Sequence, residues 1–396
     1  MADAFLHVGL PKTGTTTLQA ALDHHVDELA EAGVLYPGGR HEKQRLAAFD
    51  LLGQRLEGDE RPVAGAFGRL VDEMTAYDGR SIIVTEEILG MATSRQARRF
   101  VEALPMHRVH VVVSARDLGR TLVSAWQQTV VMGGTTTWRE FSDEVRSPGS
   151  GRASDGAGFT MRHDLLRVLD LWGEAVPAER IRLVTAPPPG APRPLLLERF
   201  SEALDLPPGL LGEFPSRNES LGAAEIELLR RLNGSLGEGL KKRQYRYVVE
   251  IGLRPRWNTQ ETRRLSLPGT DHEWVAERAA TLVDELKQRG TPVYGDLTDL
   301  LPQPAAGDQR LDEVSDTELL AAAEAAVLAL SVSHGRLFTR FRSLFKEQEG
   351  RAPSTAETLG SSLRASSVKA KKRAVAGADR NRFLAWALRR YVARGR

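Results

Sequence analysis

The chain has 396 residues, 41% hydrophobic and 27% charged, a balance that suits a globular protein with room for a full α/β domain and an added segment. It contains no cysteine, which excludes disulfides, thiolate zinc sites and cysteine nucleophiles. The net charge of +2 hides an asymmetry: residues 364–396 carry eleven basic side chains against the single acid Asp379, a balance of +10, so residues 1–363 sum to −8. With an acidic body and a basic tail, whole-chain charge gives no ground for a nucleic-acid partner, and none is expected.

Met1–Ala4 lacks the basic region of a secretion signal, and the apolar run that follows breaks at Gly9. No uninterrupted apolar stretch is long enough to span a bilayer, so a cytoplasmic location is expected. The chain is organised around Phe5–Gln19. An apolar strand pattern ends at Gly9, a tight turn carries Pro11, Lys12, Thr13 and Gly14, and Thr15, Thr16 and Thr17 open a helical pattern through Leu18, Ala21 and Leu22. A strand, a glycine turn and a helix start together aim free N–H groups and the positive end of the helix dipole at an anion. The Gly9-to-Gly14 spacing is that of the nucleotide P-loop, but Thr15 replaces the lysine after the second glycine, and the lysine sits inside the loop as Lys12. The loop is therefore expected to hold a tetrahedral anion with less charge than a metal-bound triphosphate. His7, two residues before Gly9 on the same strand face, either approaches that anion or packs.

Helical spacing is expected over Leu18–Ala32, Leu46–Leu56 and Ala66–Met74. Ser81–Thr85 reads as a buried strand that delivers Glu86 and Glu87. Ligands of parallel sheets bind at the carboxyl ends of the strands, so these carboxylates either face the ligand or begin the next helix, where the dipole favours acids. Val109–Ala115 is the clearest strand; it delivers Arg116–Asp117, and a helix follows with Ser124 about two turns on. Arg116 and Ser124 can grip one phosphate, the arginine as a bidentate charged donor; the other reading is an Arg116–Asp117 or helix-cap ion pair with an incidental serine. Trp126 is expected in the core or a pocket wall, and Gly133–Gly134 ends the helix.

Residues 147–158 are turn formers, expected as an acceptor-binding lid or a disordered insertion. Helical spacing returns over Phe159–Trp172, where His163 is either a polariser of an acceptor hydroxyl or structural. A strand over Arg180–Thr185 and helices over Leu195–Leu204, Ala223–Leu232 and Trp274–Arg289 complete the domain. Lys241–Tyr247 interleaves cations and aromatics, suited to stacking a base or to a solvated helix face. A linker is expected over 302–314. A capping box at Ser315–Glu318 then opens a long helix in which Leu320, Val327, His334 and Phe341 recur every seven residues, as do Ala323, Leu330, Leu337 and Leu344. That seam suits an appended hairpin or a homodimer contact. Phe383–Val392 with its arginines suits docking on the acidic body or an interfacial helix at the inner face of a membrane.

Pro11-Lys-Thr-Gly-Thr-Thr16, followed in order by Arg116 and Ser124, resembles the donor-binding elements of sulfotransferases that use 3′-phosphoadenosine 5′-phosphosulfate (PAPS). The resemblance covers roughly residues 1–301 and implies an α/β fold with a P-loop-like central parallel sheet, helices on both faces and an appended helical segment over 315–396. It implies that Pro11–Thr17 hold the 5′-phosphosulfate, with Thr15 and Thr16 on the 5′-phosphate, and that Arg116 and Ser124 hold the 3′-phosphate. It also implies that Glu86, or failing it Glu87, is the base, that Lys12 stabilises the developing charge, and that no metal is required. Arg217 and Asn218, in an Asn-x-Ser-Leu element, resemble a further nucleotide contact. Bacterial relatives of this pattern act on sugars, lipids and small metabolites. The rival readings are a P-loop kinase or NTPase and a non-catalytic nucleotide-binding scaffold.

Overall fold

A computed structural model describes residues 1–54, 62–147, 155–212, 214, 221–237, 239–257, 263–303, 311 and 313–349. Six strands, β1 (Asp3–His7), β2 (Val34–Leu35), β3 (Ser81–Thr85), β4 (Arg108–Ala115), β5 (Ile181–Thr185) and β6 (Val293–Tyr294), form one all-parallel sheet in the order β2-β3-β1-β4-β5-β6. β1 is central, with His7 level with Thr85 on β3 and Val112 on β4. The ends of β1, β3 and β4 therefore open on neighbouring points of one sheet edge.

The helices are α1 (Thr15–His24), α2 (Val26–Glu31), α3 (His41–Leu52), α4 (Ala66–Thr75), α5 (Ser94–Glu102), α6 (Leu118–Val131), α7 (Trp138–Arg146), α8 (Asp155–His163), α9 (Leu165–Gly173), α10 (Leu195–Ala203), α11 (Ala223–Leu236), α12 (Lys242–Arg246), α13 (Gly269–Arg289) and α14 (Asp316–Glu349). The period-2 pattern of the strands sends side chains to two apolar layers. On one face Ala4, Leu6, Ile82, Val84, Val111, Val113 and Leu183 pack under α3, α4, α5, α9 and the later part of α13. On the other, Phe5, Ile83, Val112 and Val184 pack under α1, α2 and α10. Each such fully buried aliphatic or Phe side chain contributes about 1.5–3 kcal/mol of transfer free energy. A third apolar cluster joins α6, α7, α8, α11, the start of α13 and Ala326 and Ala329 of α14. The fold is thus α/β, a parallel sheet with helices on both faces and a C-terminal helical segment.

Several expected elements are corrected at their ends. The helix expected over Leu18–Ala32 is split at His25, whose Nδ1 lies 2.9 Å from the Ala21 carbonyl and competes for a helical acceptor. That expected over Phe159–Trp172 is split at Asp164, whose carboxylate accepts from Arg167 N (3.0 Å) and caps α9. Asp155–Gly158, expected as loop, begins α8; residues 148–154 of that stretch lie outside the described residues. The capping box at Ser315 and Glu318 is present, and α14 runs 34 residues through Gly335.

The chain divides into two compact units, Met1–Leu330 and Ser331–Arg396. Within the first, Leu311 is buried in the helical cluster, Trp257 Nε1 donates to the Ala322 carbonyl (3.0 Å), and α14 buries Leu319, Ala322, Ala326 and Ala329. Leu320, Val327 and Leu330 of the expected seam remain exposed there. In the second unit Leu337, Phe341 and Leu344 are exposed, and the Phe341 and Phe345 rings lie 5.1 Å apart. By length and composition Asp316–Phe345 is long and apolar enough to cross a membrane, while Glu318, Glu324, Arg336, Arg340 and Arg342 keep its apolar run interrupted. The basic segment from Arg364 onward lies outside the described residues.

Candidate functional site

β1 stays paired as it leaves the sheet: Leu10 N donates to Ser114 O (2.8 Å) and Ser114 N donates to Gly9 O (2.6 Å). Gly9 has φ +110, and a Cβ there would stand 3.1 Å from the Glu87 carbonyl oxygen, so a side chain is barred by conformation and by space. Gly14, the residue before α1, has φ +98, and its Cβ would meet Leu196 Cδ2 at 2.6 Å. Lys12, between them, is also held at positive φ.

Beneath the loop runs a buried polar brace. Thr13 Oγ1 donates to Leu10 O (2.7 Å) and lies 2.6 Å from Ser114 Oγ. His7 spans the brace, with Nδ1 2.8 Å from Thr85 Oγ1 and Nε2 3.0 Å from Ser114 Oγ. Its ring is fully buried, and that burial pushes its pKa down to about 3. With both nitrogens engaged, His7 fixes the loop to β3 and β4 from below; the geometry gives the expected catalytic role no support.

One side of the loop is cationic. Thr17 N and Leu18 N donate to Gly14 O, whereas the N–H groups from Lys12 to Thr16 find no protein acceptor among the described residues. Thr15 is buried, Thr16 exposed and Thr17 half-buried. Lys12 Nζ donates to Gln128 Oε1 on α6 (2.8 Å). Burial first, then Arg254, pushes the Lys12 pKa down to about 8; Glu87 opposes this and Arg116 adds to it. Arg116 Nη1 donates to Lys12 O (3.1 Å), while its Nε is buried with no hydrogen-bond partner among the described residues. Burial, and secondarily Arg120, holds the Arg116 pKa down at about 10. Of the expected alternatives, the helix-cap ion pair forms and the Arg116–Asp117 pair does not. Asp117 accepts from Arg120 N (2.8 Å), caps α6 and pairs with the Arg120 guanidinium. Half-buried Ser124 lies one turn before Gln128 on the same helical face.

The other side is anionic. Glu86 is buried; its Oε1 accepts from Ile88 N (3.3 Å), and its Oε2 lies 2.7 Å from His41 Nε2. Burial raises the Glu86 pKa, His41 opposes the rise and Glu87 adds to it. Glu87 accepts from Gln19 Nε2 of α1 (2.7 Å). His41, Glu86 and Glu87 each offer a ligand atom, all within 4.8 Å of one another, a spacing that also suits a metal ion.

His163 is brought to the loop from α8. It stacks on Phe159 (4.6 Å), faces the Pro11 carbonyl, and is pushed to about pKa 3 by burial, with Arg162 and Lys12 as lesser causes. Trp126 is core: its Nε1 donates to Thr136 O (3.0 Å) and its ring packs edge-on to Trp138. Arg217 and Asn218 lie outside the described residues. Sequence reasoning missed Gln19, His41, Gln128 and Arg254. Only the place of Gln128 was legible, one turn beyond Ser124; the others come from helices whose docking no local pattern announces. A concavity lined by Ser94, Asp164, Arg167, Asp170 and Glu174 has its charges already engaged: Arg289 pairs with Asp170, Arg98 with Glu174, and Arg167 donates to Gly90 O.

The chain matches no known protein-family model, no curated protein and no solved structure. The fold and the geometry define a parallel α/β protein whose central strand–loop–helix carries two cations on one side and a carboxylate pair on the other.

Proposed function

We propose that this protein is a sulfotransferase that moves the sulfuryl group of PAPS to a hydroxyl or amine of a small-molecule, glycan or lipid acceptor. The observation that carries the reading is Arg116: a half-buried arginine whose enclosed Nε has no hydrogen-bond partner among the described residues, tied to the Lys12 carbonyl, and whose neighbour Asp117 pairs with Arg120 instead. Asp117 acts on Arg116 only through space and is shared with Arg120, so a cation drawn partly out of water stays incompletely compensated, and an anionic ligand offsets that cost. Two cations and a row of N–H groups suit a donor that carries phosphate at both ends, and the 3′-phosphate assigned to Arg116 and Ser124 distinguishes PAPS from ATP. Thr15 and Thr16 open the helix that receives the 5′-phosphate.

In the reaction the acceptor oxygen or nitrogen attacks sulfur in line, and its proton passes to the Glu86–Glu87 corner. Lys12 and the loop N–H groups stabilise charge on the bridging oxygen and the departing phosphate. The residues need no metal for this step. The test is the affinity of 3′-phosphoadenosine 5′-phosphate (PAP) for wild type, Arg116→Ala and Ser124→Ala, with AMP as control. Tight binding of PAP over AMP that collapses in Arg116→Ala supports the reading; equal affinity for PAP and AMP, or indifference to Arg116, contradicts it.

A further inference from the structure

The half of α14 that belongs to the second unit leaves an apolar face open to solvent. Leu337, Phe338, Phe341, Leu344 and Phe345 are between 41% and 61% exposed. At about 100° per residue they fall on one arc of the helix, roughly 120° wide, and His334 shares it. Arg342 lies about 40° beyond Phe338 on one side of this arc, and Arg340 about 40° beyond Leu344 on the other. The Arg342 guanidinium stands 5.9 Å from the Phe338 ring. Arg336, Thr339 and Ser343 occupy the opposite face.

The charge of this stretch has one sign. No acid stands between Glu324 and Glu347, whereas Arg336, Arg340, Arg342 and Lys346 do. That bears on what covers the apolar arc. A second copy, paired along His334, Leu337, Phe341 and Leu344, would bring the same cations together. The positions that flank a coiled-coil seam carry no acid here to answer them. The chain's own basic tail, +10 over residues 364–396, is repelled in the same way. An anionic lipid surface satisfies both features. The arc enters the boundary between headgroups and acyl chains, and the flanking arginines reach lipid phosphates with their stems laid along it.

Such a helix lies on the surface rather than crossing it. Leu319, Ala322, Ala326 and Ala329 are buried in the first unit, and Trp257 Nε1 holds the Ala322 carbonyl, so the earlier half of α14 is committed to the body. Ser331–Phe345 alone, at 1.5 Å per residue, is about 22 Å long, short of a hydrocarbon core of roughly 30 Å. A crossing would also carry Arg336, Arg340 and Arg342 into that core. We infer that Ser331–Phe345 is an interfacial helix that docks this protein on anionic lipid, with Leu337, Phe338, Phe341, Leu344 and Phe345 inserted and Arg340 and Arg342 at the headgroups. This docking does not depend on the sulfuryl-transfer reading.

The experiment is flotation of the full chain with vesicles of phosphatidylcholine alone or mixed with phosphatidylglycerol. Wild type is expected to bind the mixed vesicles, to ignore phosphatidylcholine alone, to bind less as salt rises, and to be stripped by alkaline carbonate. Phe338→Ser/Phe341→Ser/Phe345→Ser is expected to lose at least about 100-fold in affinity while keeping the thermal midpoint of wild type, since these side chains are already exposed. Arg336→Gln/Arg340→Gln/Arg342→Gln is expected to lose roughly 100-fold. Undiminished binding by the phenylalanine variant would give the membrane contact to the basic tail alone and overturn the inference. Retention in the bilayer after carbonate, which marks a spanning helix, overturns it too. So does a wild type that ignores both vesicles, whether it is a monomer or a dimer that the phenylalanine variant dissociates.

Discussion

The two sides of the loop, half-buried at Lys12 and Arg116 and fully buried at Glu86, respond in opposite senses. On the Lys12–Arg116 side burial disfavours positive charge, and both pKa values fall. On the Glu86 side burial disfavours negative charge, and the carboxyl pKa rises. The cations are short of counter-charge, which suits binding an anion that arrives with the substrate. The Glu86 carboxylate accepts one long N–H contact on Oε1, and its Oε2, 2.7 Å from His41 Nε2, makes no hydrogen bond among the described residues, which leaves that oxygen open to a proton. Under the proposed sulfuryl transfer, the same desolvation would serve donor affinity on one side and proton transfer on the other.

Variants separate these roles. The largest effect is expected from Glu86→Gln/Glu87→Gln: turnover falls by roughly 10²–10⁴-fold while PAP affinity, by calorimetry, stays within a few-fold. A parallel loss of PAP affinity would mean that the sides do not divide the work. Arg116→Ala is the mirror case, with PAP affinity reduced by about 2–5 kcal/mol, a loss carried chiefly by the 3′-phosphate. Next, His7→Ala should cost about 2–4 kcal/mol of folding stability by denaturant titration, since it empties a buried site, strands Thr85 Oγ1 and removes one partner of Ser114. His7→Ala losing turnover with unchanged stability would instead return His7 to the chemistry.

The smallest effect is a pH dependence. The folded, ligand-free Lys12 titrates near 8, below its ordinary 10.5, so a bound anion requires the protonated form. PAP affinity should be flat below pH 8 and weaken above it by at most about tenfold per unit, and Lys12→Arg should abolish that slope. Stability of the ligand-free protein moves the other way. Between pH 8 and 10.5 the unfolded chain holds the lysine proton more tightly than the folded one does, so this group's contribution to stability rises with pH there.

Much of this was readable from residues alone. Ser81–Thr85 and Val109–Ala115 were marked by β-branched runs, and the loop by Gly9 and Gly14, whose positive φ and crowded Cα positions are what glycine permits. Arg116 and Ser124 were marked by strand exit and helical spacing. Illegible was how α3 docks: His41 reaches Glu86 because Gln44 seeks β3 carbonyl and amide groups 39 and 41 residues away, a long-range match that no window contains. The fate of Asp117 was equally hidden, because capping α6 and pairing Arg116 were both open to it. The seam in α14 had the right heptad period, but the body takes the stripe through Ala322, Ala326 and Ala329 rather than Leu320 and Val327.

The most direct test of the central claim is a calorimetric titration of wild-type protein with PAP and, separately, with ATP in the presence and absence of Mg²⁺. A site built for phosphate at both ends of an adenosine donor is expected to bind PAP tightly and ATP weakly, with no gain from magnesium. Equal affinity for the two, or ATP binding that magnesium strengthens, would contradict it and return the loop to phosphoryl chemistry.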